Sequence, residues 1–479
     1  MSGVLDSVAA DWQTVFAQSG GGELLFMFEN EELRLNIENF SNLGYGIARR
    51  DGQVVFVSNA CPGDEVEAKI DKVCKNYAYA STQKVITPSP HRTEPVCPLQ
   101  KVCGSCQLGF IDYEYQLELK RQNVEDAMRK IGGLEVEVNQ PVPSPQTLHY
   151  RHKIQYPVSE TKNSKRILAG YYKQKSHEIV NIKYCPVQPA ICDEIVEFIR
   201  NKAFDFGISG FNEKKHSGDL RHIVLRVSAD SGKVLVTLVV NATQAFARLR
   251  DFAQSIYDEF DTVTGVCANF NPKKTNVILG EKSECLCGKD YIIERILGKT
   301  FKIGANTFFQ INPKSAENIF AHVKKHISEN FDRPTVLDAY SGVSAFGITV
   351  SDVAKEVVCV EENTASCNLA RGIARENKVK NIEINNMDAG KFFAQENRKF
   401  DVVILDPPRS GCTPESLDNA LKVCKGQIIY VSCNPATLAR DLKYLTEKGA
   451  KVSGNIQPFD MFCHTYHIEN VAIIDVTSN

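Results

Sequence analysis

The sequence carries almost no net charge and contains no long apolar run, and each absence argues against one class of binding partner. Its 479 residues carry 56 Lys and Arg against 58 Asp and Glu, a formal net charge of −2. No overall basic field indicates a nucleic-acid partner, so any such partner would have to bind a local patch. No apolar run reaches the roughly 18 residues that a membrane-spanning helix needs, and we expect neither a membrane span nor a membrane partner.

The beginning of the sequence lacks basic residues. The cysteines of the chain do not occur in a small secreted scaffold, where a disulfide framework would be expected. The first basic residue is Arg34, so the positive segment that opens a signal peptide is missing. There are 16 cysteines in a long chain with no small secreted scaffold, and in that setting thiols are more often ligands or catalysts than disulfide partners. We therefore expect a cytoplasmic protein.

Length and composition predict a globular protein of several domains. A content of 43% hydrophobic and 24% charged residues is ordinary for a folded chain. A chain of 479 residues is long enough for two or three domains, each with its own core.

The most informative stretch runs from residue 399 to residue 438. It contains two short β-branched runs, residues 402–405 and 428–431, and each is followed directly by a polar cluster. Buried parallel strands end at one edge of a sheet, where ligands bind, so we expect Asp406 and Cys433 to lie side by side and face a cleft. The alternative is a buried cysteine that merely closes a strand. Ser432, Asn434 and Pro435 argue against packing alone.

Two motifs in this stretch, DPPRSG at residues 406–411 and YVSCNPATL at residues 430–438, carry a family resemblance. Together they resemble the signature of the S-adenosyl-L-methionine (SAM)-dependent RNA 5-methyluridine methyltransferases, in which the Cys of SCN is the nucleophile. The resemblance implies that Cys433 is the nucleophile and that Glu469, in the H-x-E element at residues 467–469, is the base. It also implies SAM contacts, which are Gln310, Tyr340, Glu361 and Asp406.

The strands around these motifs predict an α/β fold, a Rossmann-like doubly wound sheet built around SAM. TVLDAY is followed by the turn SGVSAFG, and VVCVEE places Glu361 about 20 residues later, where an acid can bind ribose hydroxyls. NIEINNMD ends at Asp388, where a polar contact to the adenine ring would lie. The turn is a weak signal by itself, because the G-x-G spacing of the dinucleotide fingerprint is missing. The family also usually has a second glycine where Ser344 stands. A nicotinamide dehydrogenase could show part of this series, but it has no use for an SCN cysteine.

Residues 33–87 alternate in short runs that predict a small β-barrel. Turn signals at residues 42–46 and 62–63 separate the runs. Any five-stranded module would fit this pattern, but NLGYGIARRDGQVVFVSNACPGDEV resembles a TRAM domain, an OB-like RNA-binding barrel. Its rim offers cations beside aromatic rings, a combination suited to phosphate contact and base stacking. These residues are Arg49, Arg50, Lys69, Lys72, Lys75, Tyr77 and Tyr79.

Three cysteines in PVCPLQKVCGSCQL have the spacing C-x5-C-x2-C. They are Cys97, Cys103 and Cys106, and a metal centre needs a fourth ligand, for which Cys185 in IKYCPVQ is the natural candidate. Zinc and an iron–sulfur cluster both accept four thiolates, so spacing leaves the choice open. The resemblance implies a 4Fe-4S cluster, although Ser105 stands where the family usually has glycine. We interpret the C-x-C pair, Cys285 and Cys287, as incidental.

Residues 151–175 form the clearest basic patch, with seven Lys or Arg against one Glu. The patch is interleaved with Tyr150, Tyr156, Tyr171 and Tyr172, as an RNA surface would require, although a solvated hairpin fits equally well. We expect Arg151 and Lys153 to contact phosphates. We expect Phe308 and Phe309 to stack on a flipped uracil. An amphipathic helix is predicted over residues 113–131.

These observations predict four segments. They are an extension of unknown role (residues 1–30), a TRAM barrel (31–92), a mixed α+β iron–sulfur and RNA-binding domain (93–290) and a methyltransferase domain (291–479). The predicted function is methyl transfer from SAM to carbon 5 of a uridine, most simply in 23S rRNA, by a monomer. The alternatives are the T-loop uridine of tRNA and a non-catalytic RNA-binding scaffold. A cytosine carbon 5 methyltransferase shares thiolate addition, but DPPR, SCN and H-x-E argue against it.

Overall fold

A computed structural model describes residues 27–174 and 176–476. The predicted extension therefore falls almost wholly outside the described residues, and so does Lys175 at the end of the predicted basic patch. No helix in the described ranges is long and apolar enough to cross a membrane.

The first part of the described chain is the predicted β-barrel, a sheet with the strand order β1-β5-β6-β4-β3-β2. Alternate residues such as Leu33, Leu35 and Val55 point inward and form its core, which explains the period of two in the sequence. The strands are β1 (Glu32–Asn36), β2 (Asn39–Phe40), β3 (Gly46–Arg50), β4 (Gln53–Ser58), β5 (Glu65–Val73) and β6 (Tyr77–Thr87).

A long helix, α1 (Tyr113–Ala127), follows the cysteine-rich loop and continues into a π-helical turn, Met128–Gly132. The predicted amphipathic helix is thus present. Its N-terminus is capped by Asp112, whose side chain accepts a hydrogen bond from the Tyr115 N–H. The helix packs against the C-terminal sheet described below, because Val124 and Ala127 share one core with residues of that sheet.

The central part is a mixed sheet with the order β12-β11-β10-β9-β7-β8. Two helices, α2 (Ala190–Lys202) and α3 (Ala247–Glu259), pack on one of its faces, as the shared core shows. The strands are β7 (Lys153–Glu160), β8 (Ile167–Ala169), β9 (Leu220–Val227), β10 (Val234–Val240), β11 (Val263–Phe270) and β12 (Lys282–Gly288). A hairpin of β13 (Tyr291–Ile296) and β14 (Lys299–Gly304) leads out of this part.

The last part is a sheet with the order β17-β16-β15-β18-β19-β21-β20. Five neighbouring strands, β15 to β19 in chain order, are parallel to one another, and β21 runs antiparallel to β19. The strands are β15 (Thr335–Ala339), β16 (Glu356–Glu361), β17 (Ile382–Asn386), β18 (Phe400–Leu405), β19 (Cys424–Ser432), β20 (Lys451–Phe459) and β21 (Glu469–Asp475).

Helices before and between these strands cover both faces of the sheet, so two separate cores form. The helices are α4 (Pro313–Asn330), α5 (Ala345–Val350), α6 (Thr364–Glu376), α7 (Ala389–Gln395), α8 (Pro414–Val423) and α9 (Pro435–Glu447). The arrangement confirms the predicted α/β doubly wound fold. Its carboxyl edge is where the sequence places its polar clusters.

Candidate active site

The candidate site lies where β18, β19 and β21 meet at one edge of the sheet. Leu405, the last residue of β18, pairs with Tyr430 of β19, so Asp406 and Cys433 follow neighbouring strands. Ser432 pairs with Asn470, which places Cys433 beside Glu469 at the start of β21. The structure therefore brings these three predicted site residues together, although they come from separate sequence motifs.

Burial raises the pKa of the Cys433 thiol to about 12, with the negative charges of Glu469 and then Asp406 adding to the effect. The positive charge of Arg409 acts in the opposite direction. Cys433 itself remains partly exposed. It immediately precedes Asn434, which caps α9 by accepting the Ala436 N–H at 3.1 Å. A thiol at this position can reach a ligand, but it becomes a thiolate only when its proton is removed locally.

The two carboxyl groups beside Cys433 also have raised pKa values. Burial is the main cause for Glu469, which is 7% exposed, and the nearby charge of Asp406 raises its pKa further. Burial raises the pKa of Asp406 to about 7. A carboxylate with a raised pKa is a stronger base than a solvated one, so each of these groups can accept a proton while it is ionised.

Arg409 is the functional residue that the sequence reasoning missed, although it stands inside the DPPRSG motif. Its guanidinium Nη2 lies 3.5 Å from His467 Nδ1. Its charge lowers the pKa of both Cys433 and Glu469. His467 is neutral, because burial, and after it the charge of Arg409, lowers its pKa to about 3. Arg409 is thus the cation that opposes the negative groups of this site.

The DPPRSG loop is held against helix α9. The carbonyl of Arg409 accepts hydrogen bonds from Asn434 Nδ2 at 3.3 Å and from Thr437 Oγ1 at 3.4 Å. Gly411 adopts a φ of 74°, where side chains are strained, and an added Cβ would lie 2.5 Å from Asp441 Oδ2. The backbone therefore requires glycine here, and the loop that carries Asp406 and Arg409 has a fixed position.

The predicted SAM residues lie at the ends of the next strands. Tyr340 follows β15, Glu361 ends β16, and Asp388 follows β17. Burial is the main cause of the raised pKa of Tyr340, and the charge of Asp388 adds to it. Glu361 accepts the Gly342 N–H at 2.9 Å, which joins the first turn to the second strand. Asp388 also caps α7 by accepting the Lys391 N–H at 3.0 Å. Gln310 lies apart from these strand ends in sequence, in the partly exposed segment before α4.

Ser344, where the family usually has glycine, takes the left-handed conformation with a φ of 59°. A non-glycine residue there costs about 1–2 kcal/mol. Its N–H donates to the Ser341 carbonyl at 2.7 Å, so the turn keeps its shape despite the side chain.

Of the two predicted stacking residues, only Phe308 is accessible. Phe308 is 65% exposed, whereas Phe309 is 4% exposed. The ring of Phe309 packs in the core, with its centroid 5.6 Å from that of Phe301. The prediction that Phe309 stacks on a uracil is therefore wrong, since the ring has no free face.

The predicted basic and aromatic patch is not an open surface. Tyr150 and Tyr156 are 1% and 0% exposed, and their hydroxyls donate to the Cys463 carbonyl and to Gln188 Oε1. Arg151 turns toward Tyr171, with 3.2 Å between its Nη1 and the tyrosine hydroxyl. Tyr156 lies on the inward-facing side of β7 and Tyr150 is buried just before that strand, so the prediction that these two rings stack on RNA bases is wrong.

The four predicted ligand cysteines, Cys97, Cys103, Cys106 and Cys185, line one cavity together with Ser105 and Tyr171. Burial raises the pKa of Cys106 to about 12 and of Cys185 to about 11, and neighbouring thiols add to both shifts. Within the described ranges, no set of three or more Cys, His, Asp or Glu residues is placed to hold a single metal ion. The type and number of donors fit a cluster with four corners, but the side chains do not converge on one point.

Comparisons with known proteins agree with this architecture. A sequence profile described as tRNA (Uracil-5-)-methyltransferase matches residues 112–476, and a TRAM domain profile matches residues 28–82. The chain is 36% identical over 449 residues to an uncharacterized RNA methyltransferase of Clostridium tetani, covering 93% of this chain and 96% of the relative. It is 38% identical over 435 residues to one of Gloeobacter violaceus, covering 90% and 94%.

One solved structure is similar over almost the whole chain. It is the crystal structure of Pyrococcus abyssi tRNA (uracil-54, C5)-methyltransferase in complex with S-adenosyl-L-homocysteine. The TM-score is 0.75 at 30% sequence identity, covering 92% of this chain and 100% of that one.

Proposed function

The chain belongs to the tRNA (uracil-5-)-methyltransferase family, and from that premise we propose that it transfers the methyl group of SAM to carbon 5 of a uridine in RNA. The observation that carries this proposal is the placement of Cys433 beside Glu469, with Asp406 and Arg409 at the same edge. A binding scaffold would have no need for a thiol and two carboxyl groups in such a site.

The chemistry requires covalent activation of the base. Carbon 5 of uracil is a weak nucleophile, and addition of the Cys433 sulfur to carbon 6 converts it into an enolate-like centre. SAM, when bound, supplies the electrophilic methyl group that carbon 5 then attacks. Glu469 removes the proton from carbon 5, and the electron pair of that bond expels the Cys433 sulfur. Uracil is left methylated and the enzyme is regenerated.

The surroundings of Cys433 suit both the first and the last step of this reaction. The thiol must lose its proton before it adds, and the Asp406 carboxylate, whose charge acts on Cys433, can take it, which leaves Glu469 free for the carbon 5 proton. The charge of Arg409 stabilises the thiolate. A more basic thiolate is a poorer leaving group, so the positive charge of Arg409 also supports the last step, in which the sulfur departs. The same group can therefore attack and leave.

Cofactor binding is assigned to the carboxyl edge next to this pocket. We propose that Glu361 and Asp388 bind the ribose and adenine portions of SAM, and that Tyr340, Asp406 and Gln310 complete the site. The order of the strands supports this, because β15, β16 and β17 end side by side at the edge that carries Asp406.

The cysteine quartet is proposed to hold a 4Fe-4S cluster. Four thiols around one cavity are the donor set that such a cluster takes, and the loops of Cys97 and Cys185 are far apart in sequence. A bound cluster would be coordinated by the thiolates and would cross-link the two loops. No step of methyl transfer is assigned to it.

The RNA target has two candidates. The resemblance to cluster-bearing relatives favours 23S rRNA, whereas the likeness to the Pyrococcus abyssi enzyme, whose name specifies uracil-54 of tRNA, favours the T-loop uridine of tRNA. The deciding experiment incubates the protein with radiolabelled SAM and, separately, with transcripts of 23S rRNA and tRNA. We expect label on carbon 5 of a single class of uridine in one transcript. Label on cytosine, or on neither RNA, would contradict the proposed function.

A further inference from the structure

Lys153 and Arg226 lie side by side on one face of the central sheet. Lys153 begins β7 and is the cross-strand partner of Arg226 on β9, so both side chains leave the same face. Arg226 is 4% exposed and Lys153 is partly exposed. Like charges directly opposite each other destabilise an antiparallel pair, and burial increases the repulsion. An arrangement of this kind calls for a compensating anion.

No carboxylate in the described part of the chain compensates the two cations. Burial, and after it the charge of Arg226, lowers the pKa of Lys153 to about 7. Burial alone lowers the pKa of Arg226 to about 10. The Nη2 of Arg226 donates to the Thr307 carbonyl, but its buried Nε has no hydrogen-bond partner among the described residues. A donor buried without a partner is costly, so the free protein carries an unsatisfied site.

The pair adjoins residues 307–311, the segment that carries the exposed Phe308 and the predicted SAM contact Gln310. Arg226 binds the carbonyl of Thr307, the residue before the exposed Phe308. The N–H of His152, next to Lys153, donates to the Ile311 carbonyl at 2.7 Å. Farther along the same face of β9, His222 has a buried Nδ1 that also lacks a partner within the described ranges. Two unsatisfied polar groups, the Arg226 Nε and the His222 Nδ1, thus lie on this face of β9, and Arg226 is the one that bonds to residues 307–311.

The chemistry of the pair points to a phosphate. A guanidinium with a free Nε and an adjacent ammonium together provide charge-assisted hydrogen bonds to an oxyanion. A phosphodiester carries one negative charge and several acceptor oxygens, and RNA presents one at each nucleotide. The site faces the segment with Phe308, the remaining candidate for stacking on the target base.

We propose that Lys153 and Arg226 bind one phosphate of the RNA strand that enters the active site. The inference rests on the proposed function, since it takes the substrate to be RNA. It also replaces the sequence-based expectation for Arg151, whose guanidinium is directed at Tyr171 instead. The site differs from surface lysines, because its cations are partly desolvated before the ligand arrives.

The test compares Lys153→Met with Lys165→Met in the full-length protein. Lys165 belongs to the same basic stretch, but it is exposed and paired with Glu160 at 2.9 Å. We expect Lys153→Met to weaken binding of the substrate transcript, the one that the labelling experiment identifies, by about tenfold or more. The same variant should raise the melting temperature of the protein, because the like-charge repulsion is removed. Lys165→Met should change neither. A structural role for Lys153 would instead lower the melting temperature and leave RNA affinity unchanged, which would overturn the proposal.

The salt dependence of binding identifies the anion. In the double variant Lys153→Met/Arg226→Met, the slope of log affinity against log salt should become shallower by about one, since both cations contact a single phosphate. A change of about two in this slope would assign one phosphate to each residue, which would contradict the proposal that both residues bind the same phosphate. Binding of SAM alone should be unaffected, and a loss of SAM affinity with unchanged RNA affinity would assign the site to the SAM carboxylate. Wild-type methylation measured in parallel separates failure of this site from failure of the proposed function.

Discussion

Cys433 and Glu469 sit next to each other on the antiparallel strand ends of β19 and β21, and the Glu469 charge is the largest electrostatic contribution to the raised pKa of Cys433 after burial. The nucleophile and the base of the proposed reaction are therefore neighbours, although 36 positions separate them in the sequence. This adjacency and the balance of charge around it determine the first two predictions.

Replacing Glu469 should trap the reaction after methyl transfer. Glu469→Gln keeps the size of the side chain but removes the base, so the methylated adduct between Cys433 and the uracil should form and fail to resolve. We expect turnover to fall by about 100- to 10,000-fold, and an RNA–protein band to accumulate on denaturing gels in the presence of SAM.

Cys433→Ala is the control for this trap, because without the sulfur no adduct can form. It should give no band, even with RNA that contains 5-fluorouridine, and the double variant should behave in the same way. Turnover by Cys433→Ala, or turnover by Glu469→Gln at the wild-type rate, would show that the role assigned to that residue is wrong.

The raised pKa of Cys433 should be visible in its alkylation by iodoacetamide. Only the thiolate reacts, and with a pKa of about 12 its fraction should rise about tenfold per pH unit without levelling off up to pH ~10. An ordinary thiol levels off above its pKa of about 8.5. Mass spectrometry of the Cys433 peptide distinguishes it from the other cysteines.

Removing the positive charge of Arg409 tests the sign of its effect on the Cys433 pKa. Arg409→Gln should raise the Cys433 pKa further, so alkylation at pH ~8 should become slower. Faster alkylation of this variant, or levelling off below pH ~9 in the wild-type protein, would contradict the electrostatic account of the site.

The cysteine quartet should bind iron and sulfide in protein purified without oxygen. We expect a brown preparation in which Cys185→Ser loses most of its iron, because each corner of a cubane cluster requires a ligand. Cys285→Ser is the matched control, since Cys285 is an exposed cysteine on β12, outside the cavity. Colourless protein with stoichiometric zinc would identify the site as a zinc centre instead.

The adjacent residues Phe308 and Phe309 should respond to substitution in opposite ways. Phe308→Ala removes an exposed ring, so stability should hardly change, while the lost stacking of about 1–3 kcal/mol should lower kcat/KM. Phe309→Ala opens a cavity in the core and should cost about 3–5 kcal/mol of unfolding free energy. Urea unfolding and methylation kinetics measure both effects. Equal kinetic defects at equal stability would remove the distinction between the two rings.

The sequence by itself determined the features that depend on local order. Alternating β-branched runs that end in polar residues predicted the parallel sheet, and DPPRSG, SCN and H-x-E indicated which residues lie at its edge. Periodicity of two predicted the barrel, and helical spacing predicted α1. These predictions succeed because the pattern and the structure it encodes lie in the same few residues.

Tertiary structure alone decided which side chains are accessible and which charges are compensated. Tyr150, Tyr156 and Phe309 look like RNA-stacking residues in the sequence, yet neighbouring elements bury them. Lys120 looks like one of many helix cations, but it is wholly buried with its Nζ 2.7 Å from Asp460 Oδ1, a partner 340 positions away. Lys153 and Arg226, by contrast, have no such partner among the residues that the structure describes. Burial and charge pairing depend on contacts between distant segments, and for that reason no local pattern could have revealed them.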